Sequence, residues 1–325
     1  MSKAFEISNL YKYFGDVHAL DGVNLAAEEA TIFGLLGPNG SGKTTIVKVL
    51  STLLEPDKGT VKVHGINVVE NPNKVRESIG LAGQFAAVDE YLTGYENVFM
   101  VGRLYGLNKK EAKRRALNLL ERFNLLEASN RPVRTFSGGM RRRLDLGASL
   151  IGEPKILFLD EPTTGLDPST RLDLWKIIRD LVKGGTSILL TTQYLEEADE
   201  LCDQISVLNK GKVIAEGTSD SLKAKLGGDI IEFRLEKISD EQKAIETAKK
   251  FAKSKPTFDR TTLRLTIPVK DGSKNLMVIV QSINDAKLKV TDLSLHRPSL
   301  DDVFLSLTGE KAEVEPEETK TGAKR

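Results

Sequence analysis

Residues 31–50 read TIFGLLGPNGSGKTTIVKVL, and the stretch Gly37-Pro38-Asn39-Gly40-Ser41-Gly42-Lys43-Thr44 within them decides the fold. It satisfies G-x-x-x-x-G-K-[ST] between a β-rich apolar run, Thr31–Leu36, and a helical pattern that opens near Thr44. Such a loop wraps phosphate because glycines let successive backbone N–H groups converge on oxygen atoms, and the helix that follows adds the positive end of its dipole. Lys43 is expected to reach the β and γ phosphates of a nucleoside triphosphate, and the Thr44 hydroxyl to ligate Mg²⁺. A glycine turn without chemistry is the competing reading; the strand before it and the helix after it weigh against that.

Working outward, the runs Lys155–Asp160, Ser187–Thr191 and Ile205–Asn209 alternate with helical patterns up to about residue 225. That alternation predicts an α/β fold, a P-loop nucleotide-binding core whose strands are buried and largely parallel. Ile156-Leu157-Phe158-Leu159-Asp160-Glu161-Pro162 is an apolar strand ending in two carboxylates, which places the pair at the carboxyl edge of the sheet, where such sheets bind ligands. Asp160 is expected to hold Mg²⁺ directly or through water, and Glu161 to polarise the water that attacks the γ phosphate. A solvated acidic turn is the plainer alternative, and the phosphate loop in the same sheet counts against it.

Between Gln84 and Arg134 the pattern turns helical, which predicts an arm over about 85–135 inserted in the sheet domain. Within it Asn108–Phe123 places Ala112, Ala116, Leu119, Leu120 and Phe123 on one face, and the basic cluster Lys109–Arg115 reads as a solvated face. Gly227–Gly228 interrupts the pattern and ends a first domain at 227. A small α+β domain is expected over 228–310: strand Ile230–Leu235, helix Asp240–Lys253, strand Thr262–Val269, helix Ser273–Ile283 and strand Leu288–Leu295. Leu300, Val303, Phe304 and Leu307 then recur at helical spacing, which fits a docked amphipathic helix or equally core packing within the domain. Without a phosphate loop or paired catalytic carboxylates, the domain is expected to serve regulation, dimer contacts or permease assembly. Residues 311–325 are polar and aperiodic and are expected to be disordered.

A chain of 325 residues suits two domains rather than one. The 47 basic and 46 acidic side chains nearly cancel, so there is no whole-chain field to attract nucleic acid or anionic lipid. The single cysteine, Cys202, cannot form an intramolecular disulfide, which fits a reducing compartment. The opening residues MSKAFEISNLYKYFGD lack the apolar core of a signal peptide, and no apolar run approaches the length that crosses a bilayer. The expectation is a cytoplasmic protein that reaches a membrane only through another chain.

A second glycine turn, Phe136-Ser137-Gly138-Gly139-Met140, precedes Arg141-Arg142-Arg143-Leu144 and opens a helix, a place where N–H groups and a dipole meet an anion. Alone it would read as a turn before a basic helix. Together with the phosphate loop, Gln84 at a strand end, Asp160-Glu161 and Gly165-Leu166-Asp167-Pro168, it closely resembles the ATPase subunit of ATP-binding cassette (ABC) transporters, over residues 4 to about 220. The resemblance implies a RecA-like sheet core with an inserted helical subdomain. It identifies GPNGSGKTT, hence also Thr45, as the Walker A loop, Gln84 as the Q-loop residue and a further Mg²⁺ contact, FSGGM as the signature, ILFLDEP as Walker B and GLDP, with Asp167, as the D-loop. Phe14 matches the aromatic that stacks on adenine, with Tyr11 and Tyr13 as close competitors.

The chain departs from the family pattern at Met140, where Gln is usual, and at Gln193, which replaces the switch histidine after ILLTT. Gln193 with the terminal PSLDDVFLSLTG resembles the daunorubicin-resistance branch, drug and lipid exporters with a separate membrane chain. The resemblance thus implies an ATP-hydrolysing subunit with ATP and Mg²⁺ as cofactors, which dimerises around two ATP molecules, each clamped between one copy's Walker A and the other's Ser137 turn. It also implies a separate permease, a place on the cytoplasmic face of the membrane, and no nucleic-acid partner. The alternative class, soluble ABC ATPases acting on nucleic acid or ribosomes, generally carries two cassettes or a long coiled coil before the signature; this sequence has neither. His18, His64 and His296 fit no metal or catalytic arrangement.

Overall fold

A strand that is apolar on both faces needs a cover on each, and Ile156–Asp160 has both in the computed structural model of this protein. The structure describes residues 2–83, 87–226, 228–270 and 272–308. The chain divides into two units, Met1–Thr192 with Glu197–Ser219, and Gln193–Glu196 with Asp220–Arg325.

The first unit opens with β1 (Lys3–Phe14), β2 (Val17–Glu28), β3 (Ile32–Leu36) and α1 (Lys43–Leu50). It continues through β4 (Lys58–Val63), β5 (Ile66–Asn67), α2 (Pro72–Arg76) and β6 (Ile79–Ala82) to the arm helices α3 (Gly94–Leu104) and α4 (Lys109–Arg122). Then follow α5 (Gly138–Ser149), β7 (Ile156–Asp160), α6 (Pro168–Lys183), β8 (Ser187–Thr192), α7 (Leu195–Leu201), β9 (Gln204–Asn209), β10 (Lys212–Gly217) and α8 (Ser219–Leu226), the elements α7 and α8 each lying across a unit boundary.

The central sheet runs β10-β9-β3-β8-β7-β6, parallel throughout except where β10 turns back on β9. Side chains alternate across it. Leu157, Leu159, Ile188 and Leu190 join one core with Leu119, Leu120, Phe123, Leu144 and Ile178 of the helices, while Ile156, Phe158, Phe33, Leu35 and Leu189 join another with Ile46 and Leu50 of α1 and the N-terminal strands. Each such side chain removed from water contributes about 1.5–3 kcal/mol before the entropy of ordering it.

The N-terminal strands form a second sheet, β2-β1-β4-β5, antiparallel at every pairing; the strands of this unit that the sequence pattern predicts all lie in the parallel sheet, and none of these is among them. The physical reason lies in the β1–β2 register, which shifts between Ile7 and Leu10, again between Leu10 and Tyr11, and again between Lys12 and Tyr13. Each shift reverses the phase of the inside–outside alternation, so the period-2 signal is lost along these strands.

In the arm, α4 buries Ala112, Ala116, Leu119 and Leu120, with Phe123 also buried at its C-cap. Asn108 starts it, its side chain accepting from Glu111 N at 2.9 Å. The basic face is exposed at Lys109, Lys110, Lys113 and Arg114, whereas Arg115 is half-buried, with Glu111 at 2.7 Å and Ile151 O at 3.0 Å.

The second unit contains β11 (Asp229–Leu235), α9 (Glu241–Lys249), β12 (Thr257–Asp259), β13 (Arg264–Val269), α10 (Gly272–Asp285), β14 (Val290–His296) and α11 (Leu300–Thr308). Its antiparallel sheet, β12-β13-β11-β14, packs Ile231, Phe233, Leu265 and Ile267 against Ala244, Ala248, Ile279 and Ile283 of the helices. In α11 the buried apolar residues are Leu300, Val303, Phe304 and Leu305. Leu307, expected on that face, is exposed. The tail 311–325 lies outside the described residues, and no helix among those described is long and apolar enough to cross a membrane.

Candidate functional site

Register collects the site. Leu36 lies opposite Thr192, Asp160 opposite Thr191, and Ala82 opposite Leu159, so four neighbouring parallel strands end together. The chain leaves β3 into the phosphate loop, β7 into Glu161, β8 into Gln193 and β6 into Gly83. Gln84 itself lies outside the described residues.

Close packing sets the loop's shape. A Cβ on Gly37 would come within 2.3 Å of Leu208 O, and one on Gly42 within 2.7 Å of Ala19 O. Gly42 also has φ +110°, a backbone conformation in the left-handed half of the map that glycine alone adopts cheaply. Ser41 N donates to Pro38 O at 3.2 Å, tightening the turn, while Ser41 Oγ is buried without a hydrogen-bond partner among the described residues. Pro38 is half-buried, Asn39, Gly40 and Thr44 are exposed, and Thr45 is half-buried.

Lys43 is only 4% exposed and fully engaged: Nζ donates to Gly37 O at 2.6 Å and Pro38 O at 3.3 Å and lies 3.4 Å from Glu161 Oε1. Asp160 Oδ1 accepts from Thr191 Oγ1 at 2.5 Å and from Thr44 Oγ1 at 3.3 Å. That hydroxyl and that buried carboxylate are hard oxygen donors, the set that suits Mg²⁺. Glu161 has φ +51°, an uncommon conformation for a side chain of its type that costs about 1–3 kcal/mol and must be held by its surroundings. Its N–H is shared between Thr191 O and Thr191 Oγ1, each at 3.1 Å, and Thr164 Oγ1 approaches Oε2 at 3.5 Å.

The other elements are more open. Ser137 is the N-cap of α5, its Oγ accepting from Met140 N at 3.2 Å; it and Gly138 are exposed, and Gly139 is half-buried. The first amides of a helix have no partner within it, so this turn offers donors to whatever meets it. Asp167 caps α6, accepting from Thr170 N at 3.0 Å and Thr170 Oγ1 at 2.7 Å. The Thr170 hydroxyl, then the Thr170 N–H, hold its carboxyl below the usual range.

Among the aromatics, Phe14 is 51% exposed, with Lys12 Nζ 5.8 Å from its ring centre. Tyr13 is packed on His18 at 4.6 Å, and Tyr11 lies 6.2 Å from Tyr13. His64 pairs with Glu29 at 3.0 Å and His296 with Asp302 at 3.3 Å. Gln193 directly follows β8; it is half-buried and its Oε1 has no hydrogen-bond partner among the described residues.

Sequence reasoning missed Thr191, which holds both carboxylate residues, and Arg142. The signal for Thr191 was available: two threonines directly following the aliphatic run Ile188-Leu189-Leu190. Arg142 sits in a run of three arginines and is the buried one, 8% exposed, whereas Arg141 and Arg143 are half-buried. Glu197, in α7, is a further buried acid: Trp175 Nε1 donates to its Oε1 at 3.0 Å, and burial pushes its carboxyl up.

A family model described as ABC transporter matches residues 20–164, and a second, the DrrA1-3-like ATP-binding protein C-terminal domain, matches 217–308. The chain is 50% identical to the daunorubicin resistance ATP-binding protein DrrA2 of Streptomyces coeruleorubidus over 93% of this chain and 94% of that one. Among solved structures it is similar to cbiO1 from Clostridium perfringens, part of the ABC transporter complex cbiONQ (27% identity, TM-score 0.65, covering 69% of this chain and 92% of that one). It is also similar to a dimeric ATP-binding cassette in a post-hydrolysis state bound to ADP and Pi (26% identity, TM-score 0.61, covering 66% and 98%).

Proposed function

This chain belongs to the family of ABC transporter ATP-binding proteins, as an ATP-hydrolysing subunit of the drug-resistance exporter type, and from that premise we propose that two copies close around two ATP molecules to drive a separate membrane permease. One observation carries the reading. Lys43 is buried against the Gly37 and Pro38 carbonyls and Glu161, a half-site held within one copy, while the Ser137 turn is exposed at Ser137 and Gly138 at the start of its helix. The dimeric form of a structural relative supports the same arrangement.

In this reading the β and γ phosphates settle on the loop amides and draw the Lys43 ammonium to themselves, which releases the Glu161 carboxylate to a water molecule. Glu161 takes that water's proton as its oxygen attacks the γ phosphorus; the bond to the β-phosphate oxygen breaks and ADP leaves with phosphate. Thr44 and Asp160 would hold Mg²⁺, which withdraws charge from the transferring phosphoryl group. Phe14 supplies a face for adenine, Asn39, Gly40, Ser41 and Thr45 line the phosphates, Gln84 and Asp167 make the contacts expected of the family, and Gln193 stands where the family's switch histidine would. Gln193 can give one amide hydrogen bond to a γ-phosphate oxygen but cannot become cationic as a histidine can.

The transported molecule is proposed to be drug-like or lipid-like, on the strength of the relative named for daunorubicin resistance. Glu161→Gln tests the hydrolytic part: turnover is expected to fall by about 10²–10⁴-fold while nucleotide titration stays near the parent. Parental turnover in that variant removes Glu161 as the base. Coexpression with the permease is expected to lower cellular daunorubicin fluorescence in an ATP-dependent way; unchanged accumulation removes that cargo.

A further inference from the structure

We propose that Arg142 is a positioning residue for hydrolysis, its guanidinium tying the helix that begins at the Ser137 turn to the main chain that carries Asp160 and Glu161. Nε donates to Pro162 O at 2.7 Å, and Nη2 to Glu161 O at 3.1 Å and Asp160 O at 3.3 Å. Nη1 donates to Gly83 O at the end of β6 and lies 3.7 Å from Asp145 Oδ2. Asp145, one helical turn further along α5, accepts from Ala87 N at 2.8 Å. One buried pair on α5 therefore grips three successive carbonyls of the Asp160–Pro162 turn and the main chain on either side of positions 84–86.

The chemistry selects arginine. A planar guanidinium presents five N–H groups in a fixed fork, whereas a lysine ammonium is a point donor that cannot span carbonyls facing different directions. The turn it grips needs holding, because Glu161 keeps φ +51° with its N–H fixed by Thr191 and its C=O by Arg142. Burial lowers the Arg142 pKa and raises that of Asp145, the sign that both groups lost hydration to sit there. With Arg142 in place, a displacement of the Ser137 turn when a partner copy engages it is passed along α5 to the backbone of Glu161.

This inference rests on Glu161 being the base, and a double-mutant cycle keeps the two separable. Arg142→Lys is expected to lower kcat by about ten- to a hundredfold, the effect of a misplaced catalytic group, with KM and nucleotide affinity within about threefold. In the Glu161→Gln background the same substitution is expected to add nothing, because the carboxylate it positions is gone. Asp145→Asn keeps an oxygen for Ala87 N–H and removes the countercharge; it is the milder variant, expected to lower kcat about two- to fivefold, again only with Glu161 present. Equal losses of turnover in both backgrounds, or a rise in KM and a fall in melting temperature with kcat unchanged, overturn the positioning role. Near-parental turnover in Glu161→Gln alone overturns the base assignment and this inference with it.

Discussion

The two glycine turns of the nucleotide-binding unit are built in opposite ways. Around Gly37–Thr44 the side chains proposed to act on nucleotide are already paired: buried Lys43 with Gly37, Pro38 and Glu161, and buried Asp160 with Thr191 and the exposed Thr44. At Ser137–Gly139 the turn is open, and its internal bond is a helix cap. A preorganised half-site lowers the cost of binding nucleotide, because its groups are held before the ligand arrives. An open half-site gains nothing until something docks on it. The contrast separates substitutions that should damage the folded monomer from those that should damage only an assembly.

The largest effect is expected at Lys43→Ala. It removes one partner of a buried ion pair, a change that costs about 3–5 kcal/mol when the remaining charge stays buried, and it strips the phosphate cradle of its cation. Thermal melting and ATP turnover should both fall. A variant that stops turnover without losing stability would show the paired half-site to be less preorganised than its geometry indicates.

Gln193→Ala comes next. Loss of one hydrogen bond to a charged phosphate oxygen should cut turnover about tenfold or more, whereas a residue that merely ends β8 should leave parental rates. Gln193→His should remain active and gain a pH dependence near neutrality. Identical rates for parent and Gln193→Ala across the pH range would remove Gln193 from the proposed γ-phosphate contacts.

Phe14→Ala should weaken nucleotide binding by about 1–3 kcal/mol with folding intact, since the ring is already half in solvent. Tyr13, packed on His18, should be the weaker site in a nucleotide titration. The reverse ranking would reassign the adenine platform.

Glu197 sharpens the picture of the buried side through pH. Burial raises its carboxyl above the usual glutamate range, so the folded chain binds that proton more tightly than the unfolded chain does. Its contribution is therefore fully present below the unfolded pKa and is lost as pH rises through the folded one. Glu197→Gln keeps an oxygen acceptor for Trp175 Nε1 and should remove that slope, leaving a chain more stable than the parent above the window. Trp175 is the chain's single tryptophan, so its fluorescence reports the unfolding. An unchanged slope would mean that Glu197 does not titrate there.

The smallest effect belongs to the open turn. Ser137→Ala removes a helix cap and should cost about 1 kcal/mol of stability, with ATP affinity of the monomer unchanged. A drop in monomer affinity would mean that the turn already serves its own copy's nucleotide.

How much of this was legible in the sequence follows from how far each signal travels along the chain. The phosphate loop, the β7 carboxylates and the face of α4 are local: a spacing or a period is complete within about a dozen residues, as at Ala112, Ala116, Leu119 and Leu120. The antiparallel N-terminal sheet was not read, because its bulges reset the alternation that would have announced it. Arg142 was hidden for a different reason. In a run of three arginines every member looks like solvated charge, and its carbonyl partners are main-chain atoms, which leave no trace in residue identity. The left-handed backbone of Glu161 is invisible for the same reason, since nothing in Asp-Glu-Pro announces a positive φ. Leu305 is buried in α11 and Leu307 is not, although at ~100° per residue the two lie about 160° apart, so helical spacing alone did not decide which of them is covered.

The central claim is that the open turn completes the paired one only across two copies. The solution mass of Glu161→Gln, measured by light scattering with and without saturating Mg-ATP, tests it most directly. The mass should double with nucleotide, and adding Ser137→Arg should abolish the doubling while each monomer still binds ATP. A mass that stays monomeric with Mg-ATP bound, or a doubling that Ser137→Arg leaves untouched, would contradict the composite site.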